Sequence, residues 1–272
     1  MPELSLRAPA LAENVIVVRE LLRGIDRLLV VRPGLREAVL TAVSEAANNV
    51  VVHAYDGAIG PLQVDVSVSG PLEVVVRDWG LGFDPAAPDE CDDPGFGRAV
   101  IEAFADEVDI SSTRGTGTEV RLRWDVAVLA VGPTDDGDTK SLPGETVLTM
   151  HPDPALGGAA GRVLAALGAR AGLGVDRLAD LRLIAEALVA HARPVLVGGR
   201  LSFAFLQREG ALQISVGPFV AEGAGSLRQA RSMGGVAIVE RLASELEVLR
   251  DPRTGHEALV LTVADARSAR SD

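Results

Sequence analysis

The chain has 272 residues, 47 % of them apolar and 24 % charged, which is enough to bury cores and excludes wholesale disorder. Its formal charge of −12, from 26 basic against 38 acidic residues, excludes a surface built to coat nucleic acid. Its one cysteine, Cys91, excludes an internal disulfide.

No basic patch followed by an apolar run marks a signal peptide. Apolar runs such as Val126 to Val131 fall far short of the roughly 20 residues that cross a bilayer. These features predict a cytoplasmic protein with no direct nucleic-acid or membrane partner. The charge is uneven. Residues 1–138 carry 24 acidic and 11 basic groups, and residues 139–272 carry 14 and 15. Only one basic residue, Lys140, is a lysine, and it lacks the Gly-rich context of a P-loop.

In chain order, Ala12 to Arg23 has helical periodicity, with Val15, Val18, Leu22 and Ile25 on one side. Leu35 to Val52 reads as a second helix, apolar at Val39, Val43, Ala46 and Val50. Val64 to Val68 and Leu72 to Arg77 alternate as strands joined by a Ser-Gly-Pro turn. Arg98 to Phe104 is a third helix, and Glu119 to Trp124 a closing strand. A sheet covered on one face by helices follows, an α+β two-layer sandwich.

The segment 132–144 is rich in Gly, Pro, Asp, Ser and Thr without periodicity and reads as a linker. On either side the sequence repeats. Glu45 aligns with Glu186, Leu72 to Val76 with Leu212 to Val216, and Gly97 to Ile110 with Gly235 to Val248. The offsets stay between 138 and 141. Two copies of one domain are expected, 1–131 and 145–272.

Three polar clusters in the first copy exceed what packing needs. Glu45, Asn49 and His53 recur every four residues on one helix, so they share a face. A carboxylate beside an amide oxygen can take a proton and hold a hard cation such as Mg²⁺ on nucleotide phosphates. Asp78-Trp79-Gly80-Leu81-Gly82 ends a strand. Its aspartate can accept from an exocyclic amine, and its glycines let backbone approach a planar ring. Gly95-Phe96-Gly97-Arg98 enters a helix whose N–H groups attract anions. Gly117-Thr118 opens the last strand near the same strand ends.

In order and spacing these clusters resemble the N, G1 and G2 boxes of the GHKL superfamily, the histidine-kinase-like ATPases of the Bergerat fold. The anti-sigma-factor serine-protein kinases are the nearest type. The resemblance is close over residues 1–125 and faint over 145–265. It implies that Glu45 is the general base and that Asn49 holds Mg²⁺. It implies that Asp78 binds the adenine amine, with Gly80 and Gly82 beside the ring. Gly95 and Gly97 would bracket the lid near the ATP phosphates, with Arg98 the nearest cation, and Thr118 would support the adenine pocket. The implied activity is transfer of the ATP γ-phosphate to a serine of a STAS-type antagonist, with a sigma factor as a further partner. The alternative is a nucleotide- or partner-binding module without turnover.

Two features depart from that pattern. The segment between Gly82 and Gly95 carries Asp84, Asp89, Glu90, Asp92 and Asp93 and no base, and acids beside a triphosphate repel it unless a metal lies between. The second copy has Ala190 at the magnesium position and Pro218 at the adenine aspartate, so it is expected to be degenerate and without a nucleotide site. Fused copies would also allow an intramolecular pseudo-dimer.

Overall fold

The computed structural model describes residues 1–29, 33–83, 96–128, 131, 142–229 and 237–265. Most of the expected linker, Cys91 and the acidic segment after Phe83 lie outside the described residues. The chain divides into two compact units, Pro2–Val131 and Gly132–Asp272 with Met1.

The first unit runs β1 (Leu4–Pro9), α1 (Ala12–Gly24), α2 (Leu35–His53), β2 (Pro61–Ser67), β3 (Leu72–Asp78), α3 (Phe96–Phe104), β4 (Glu107–Thr113) and β5 (Gly117–Trp124). Its strands pair antiparallel in the spatial order β4-β5-β3-β2-β1. One face of the sheet is apolar by strict alternation: Leu4 and Leu6, Leu62, Val64 and Val66, Leu72, Val74 and Val76, then Leu122 and Trp124 are buried. The helices cover that face. Val15, Val18, Leu22 and Ile25 are buried on and just after α1, and Val39, Val43, Ala46 and Val50 are buried on α2. Glu13 in the first turn of α1 and Arg23 in its last turn complement the helix dipole.

Two strands were not legible as strands. β1 is a six-residue alternation against the N-terminus. β4, EVDISST, is the sheet's edge, and its two apolar side chains, Val108 and Ile110, are half-buried and make too short an alternation to mark a strand.

The outer face of this sheet carries a chain of alternating charges. Arg77 reaches Asp65 at 3.0 Å and Glu119 at 2.7 Å. Arg121 reaches Glu119 at 2.7 Å and Glu73 at 2.8 Å. Arg123 reaches Glu73 at 2.7 Å and Glu107 at 3.5 Å. Burial pushes the Glu119 carboxyl up, but the two guanidiniums outweigh it and hold it below the ordinary range.

The second unit runs β6 (Thr146–Met150), α4 (Gly157–Arg170), α5 (Val175–Ala192), β7 (Leu201–Arg208), β8 (Ala211–Phe219), α6 (Gly223–Arg228), α7 (Ile238–Leu242), β9 (Glu245–Arg250) and β10 (Glu257–Ala264). Its strands pair antiparallel in the order β6-β7-β8-β10-β9. Strand for strand this matches β1-β2-β3-β5-β4 of the first unit. The registers agree as well: Val76 faces Val120 in one unit, and Val216 faces Leu259 in the other. Beyond those pairs the registers part, because an irregularity between Glu257 and Leu259 sets Glu257 opposite Phe219. The hairpin closes Thr113 on Gly117 in the first unit and Asp251 on His256 in the second.

Candidate functional site

The apolar face of the first sheet is not wholly covered. Between α2, α3 and the ends of β3, β4 and β5 lies a cavity of about 350 Å³. Val50, Val76, Ile101, Ile110 and Val120 give it apolar walls. Asn49, His53, Asp78, Arg98 and Thr118 supply polar groups at its margin. An apolar slot with a few convergent polar groups suits a planar ligand with one polar edge.

Asp78 is fixed at the end of β3. Its Oδ1 accepts the backbone N–H of Gly80 at 2.8 Å and of Thr118 at 3.2 Å. Among the described residues no donor reaches Oδ2, so that oxygen remains an acceptor on a cavity-lining side chain. Burial pushes the carboxyl up, and the two N–H bonds pull part of the way back.

Glycine is required around this carboxylate because backbone approaches backbone. A Cβ on Gly117, whose φ is +112°, would lie 2.3 Å from the Asp78 carbonyl oxygen. A Cβ on Gly80 would lie 1.9 Å from the carbonyl oxygen of Ala54, the residue that ends α2. The Leu81 N–H donates to that same carbonyl at 2.7 Å, tying the turn to the helix. Tyr55 completes the tie: its hydroxyl donates to the Pro61 carbonyl at 2.5 Å and accepts the Trp79 N–H at 3.0 Å. Arg7 lies over the exposed Trp79 ring, 5.8 Å from its centroid.

At the other end of the cavity, α3 opens with Gly97 against the Asn49 amide. A Cβ on Gly97 would stand 3.1 Å from Asn49 Oδ1. The helix start and that amide oxygen together offer N–H donors and one hard oxygen ligand. Among the described residues no group of three or more His, Cys, Asp or Glu side chains is placed to hold a metal ion. Asn49 Oδ1 is thus a single oxygen, which suits only a cation that would take its other ligands from phosphates and water. Arg98 Nε donates to Glu102 at 2.9 Å, one turn along α3.

The sequence-derived residues fall into three groups. Asn49, Asp78, Gly82, Gly97, Arg98 and Thr118 line the one cavity, and Gly80 backs Asp78. Glu45 lies one turn before Asn49, half-buried and outside the lining. Gly95 lies outside the described residues. Sequence reasoning missed Ser112, whose hydroxyl joins Phe83, Gly117 and Thr118. Its only signal is its place opposite Thr118 on a strand that patterning does not reveal.

A helix-covered antiparallel sheet with this strand-end cavity defines a histidine-kinase-like ATPase fold. Residues 8–124 match the histidine kinase-like ATPase domain family. An anti-sigma F factor of Thermoanaerobacter sp. (strain X514) is 33 % identical over 94 residues, which is 31 % of this chain and 66 % of that protein. An anti-sigma F factor of Heyndrickxia coagulans is 32 % identical over 100 residues, 32 % of this chain and 68 % of its own. The matches thus span about two thirds of these relatives. The blue-light-activated histidine kinase domain of Erythrobacter litoralis EL346 is 27 % identical over 34 % of this chain and 48 % of its own, with a TM-score of 0.29, too low to bear on the fold. Through its first unit the chain belongs to the GHKL family of histidine-kinase-like ATPases and resembles the anti-sigma F factors within it. Among the described residues no helix is long and apolar enough to cross a membrane.

Proposed function

We propose that the first unit binds Mg-ATP and acts as a regulatory serine-protein kinase of the anti-sigma-factor type. The observation that carries this reading is Asp78: one oxygen is held by two backbone N–H groups, and the other is left as an acceptor at an apolar cavity. Adenine offers the matching edge, an exocyclic amine on a flat apolar ring. Asn49 Oδ1 would hold Mg²⁺, which supplies charge neutralisation on the phosphates. Gly97 and Gly95 would flank those phosphates, and Arg98 would leave Glu102 to meet them.

Glu45 would take the proton of a partner serine as its Oγ bonds to the γ-phosphorus and the bridge to ADP breaks. Transfer of this kind asks the protein for positioning and charge more than covalent chemistry. The partner would be a STAS-type antagonist, with a sigma factor as the second ligand. In this reading the chain works in the cytoplasm. Residues 1–131 form the nucleotide domain, 132–144 the linker, and 145–272 a degenerate copy. That copy would serve as a scaffold in an intramolecular pseudo-dimer.

A second reading is binding without turnover. It is favoured by the position of Glu45 outside the cavity lining and by the acids between Gly82 and Gly95.

Calorimetric titration of Mg-ATP and Mg-ADP into the whole chain, beside Asp78→Asn, tests the pocket. Asparagine keeps an acceptor for Gly80 and Thr118 but turns an amide donor toward the base. Micromolar binding, about −8 kcal/mol, is expected in the wild type, with at least a hundredfold loss in the mutant. No heat at millimolar nucleotide would overturn the reading.

A further inference from the structure

Ser112 faces Thr118 across the β4–β5 ladder. Its oxygen accepts the Phe83 N–H at 2.9 Å, lies 2.9 Å from Thr118 Oγ1, and lies 3.3 Å from the Gly117 carbonyl oxygen. A hydroxyl has one proton and two lone pairs. Phe83 occupies one lone pair, so two proton orders remain. In the first, Thr118 donates to Ser112 and Ser112 donates to Gly117. In the second, Ser112 donates to Thr118, and the Thr118 proton is released to the cavity that Thr118 lines. The second order gives up only the 3.3 Å contact, which is longer than the usual O–H···O range.

The two orders present different chemistry to a ligand. The first offers only lone pairs of Thr118, and the second offers a donor. Thr118 sits beside Asp78, since its own N–H reaches Asp78 Oδ1 at 3.2 Å. An adenine whose amine donates to Asp78 Oδ2 carries its ring N1 next to that amine, and N1 is purely an acceptor.

We propose that Ser112 is a positioning residue for the nucleobase: by donating to Thr118 it turns the Thr118 proton onto N1 of adenine. This rests on the first unit being an adenine-nucleotide site. The relay also ties the base to Phe83 at the end of the Asp78 turn, because the same oxygen holds the Phe83 N–H in both orders. A chain of hydroxyls polarises along its length, so the O–H offered to N1 from this half-buried pair is stronger than that of an isolated threonine. In the second unit the facing residues are Arg250 and Glu257, and no hydroxyl relay can form.

The test compares ATP with 1-deaza-ATP, which lacks only that ring nitrogen, by titration into the full chain and into Ser112→Ala, Ser112→Thr and Thr118→Val. Loss of N1 is expected to weaken binding to the wild type about 5- to 10-fold, the range of one hydrogen bond. In Thr118→Val that penalty shrinks to about twofold or less. In Ser112→Ala the Thr118 hydroxyl keeps its proton but loses the donor that orients and polarises it, so the penalty falls part of the way, and Ser112→Thr restores it. A Ser112→Ala protein that weakens for both nucleotides equally, with the penalty intact, would show that Ser112 only props the turn and would overturn the relay. Wild-type binding of ATP with no N1 penalty would overturn the relay while leaving the nucleotide site standing. No wild-type binding of either nucleotide would overturn both.

Discussion

At the ends of β3 and β8 the two units place different side chains. After Val76 the first chain segment places a buried carboxylate, Asp78, and then an outward Trp79 that is 46 % exposed. After Val216 the second places Pro218, which has no carboxylate, and then Phe219, which is fully buried. Opposite them, Thr118 borders a cavity, whereas Glu257 is buried and accepts the Ala224 N–H at 3.3 Å. Ala224 and Leu227 on α6 are buried too. A left-handed residue follows each strand, Gly82 with φ +57° and Glu222 with φ +64°. The end of β3 thus borders a pocket, and the end of β8 belongs to a core. The first leaves apolar surface uncovered at a cost in stability, and the second covers it.

Truncating the filled version should have the largest effect. Phe219→Ala is expected to destabilise the second unit by about 3–5 kcal/mol, whereas Trp79→Ala should change the stability of the first by less than about 1 kcal/mol. Chemical denaturation of each variant checks this, and equal losses would break the contrast between core and pocket.

The next effect concerns pH. Burial raises the folded-state pKa of Asp78 above its unfolded value, so the folded state binds its proton more tightly. This group's contribution to stability therefore falls as pH rises through the window between the ordinary carboxylate value and the raised one. Asp78→Asn should gain thermal stability relative to wild type on crossing that window upward, while wild-type nucleotide affinity falls on crossing it downward. Melting curves of both proteins from acid to neutral pH read the difference, and parallel curves would remove the stability–function conflict at this site.

The smallest effect is at Arg98. Its pair with Glu102 is exposed on both sides, and such pairs hold weakly. Glu102→Gln should free the guanidinium and tighten ATP about twofold, with little change for adenosine. An equal gain for adenosine would mean that Arg98 does not meet phosphate.

The sheet-and-helix frame was readable because its buried positions recur at strict periods, as in Val39, Val43, Ala46 and Val50 on α2. The edge strand β4 was not, because Val108 and Ile110 alone make too short an alternation to mark a strand. Asp78, Gly80 and Gly82 stood out because carboxylate and glycines interrupt an apolar run. Ser112 did not, because its role is created by register: only pairing β4 with β5 sets it against Thr118. Glu45 shares a helix face with Asn49, yet a face does not specify which turn a cavity reaches.

The row of guanidiniums and carboxylates across the outside of the first sheet bears on heat. Hydration of ions becomes less favourable as temperature rises, so charges already bound to one another lose less than charges bound to water. Glu73 and Glu119 each sit between two arginines, so ordering one side chain serves two contacts. Alternation puts these residues on the opposite face from Val76, Asp78 and Thr118. The tolerance of this unit to warming can therefore be tuned from its outer face, by lengthening or cutting that row, without moving an atom that a nucleobase would touch.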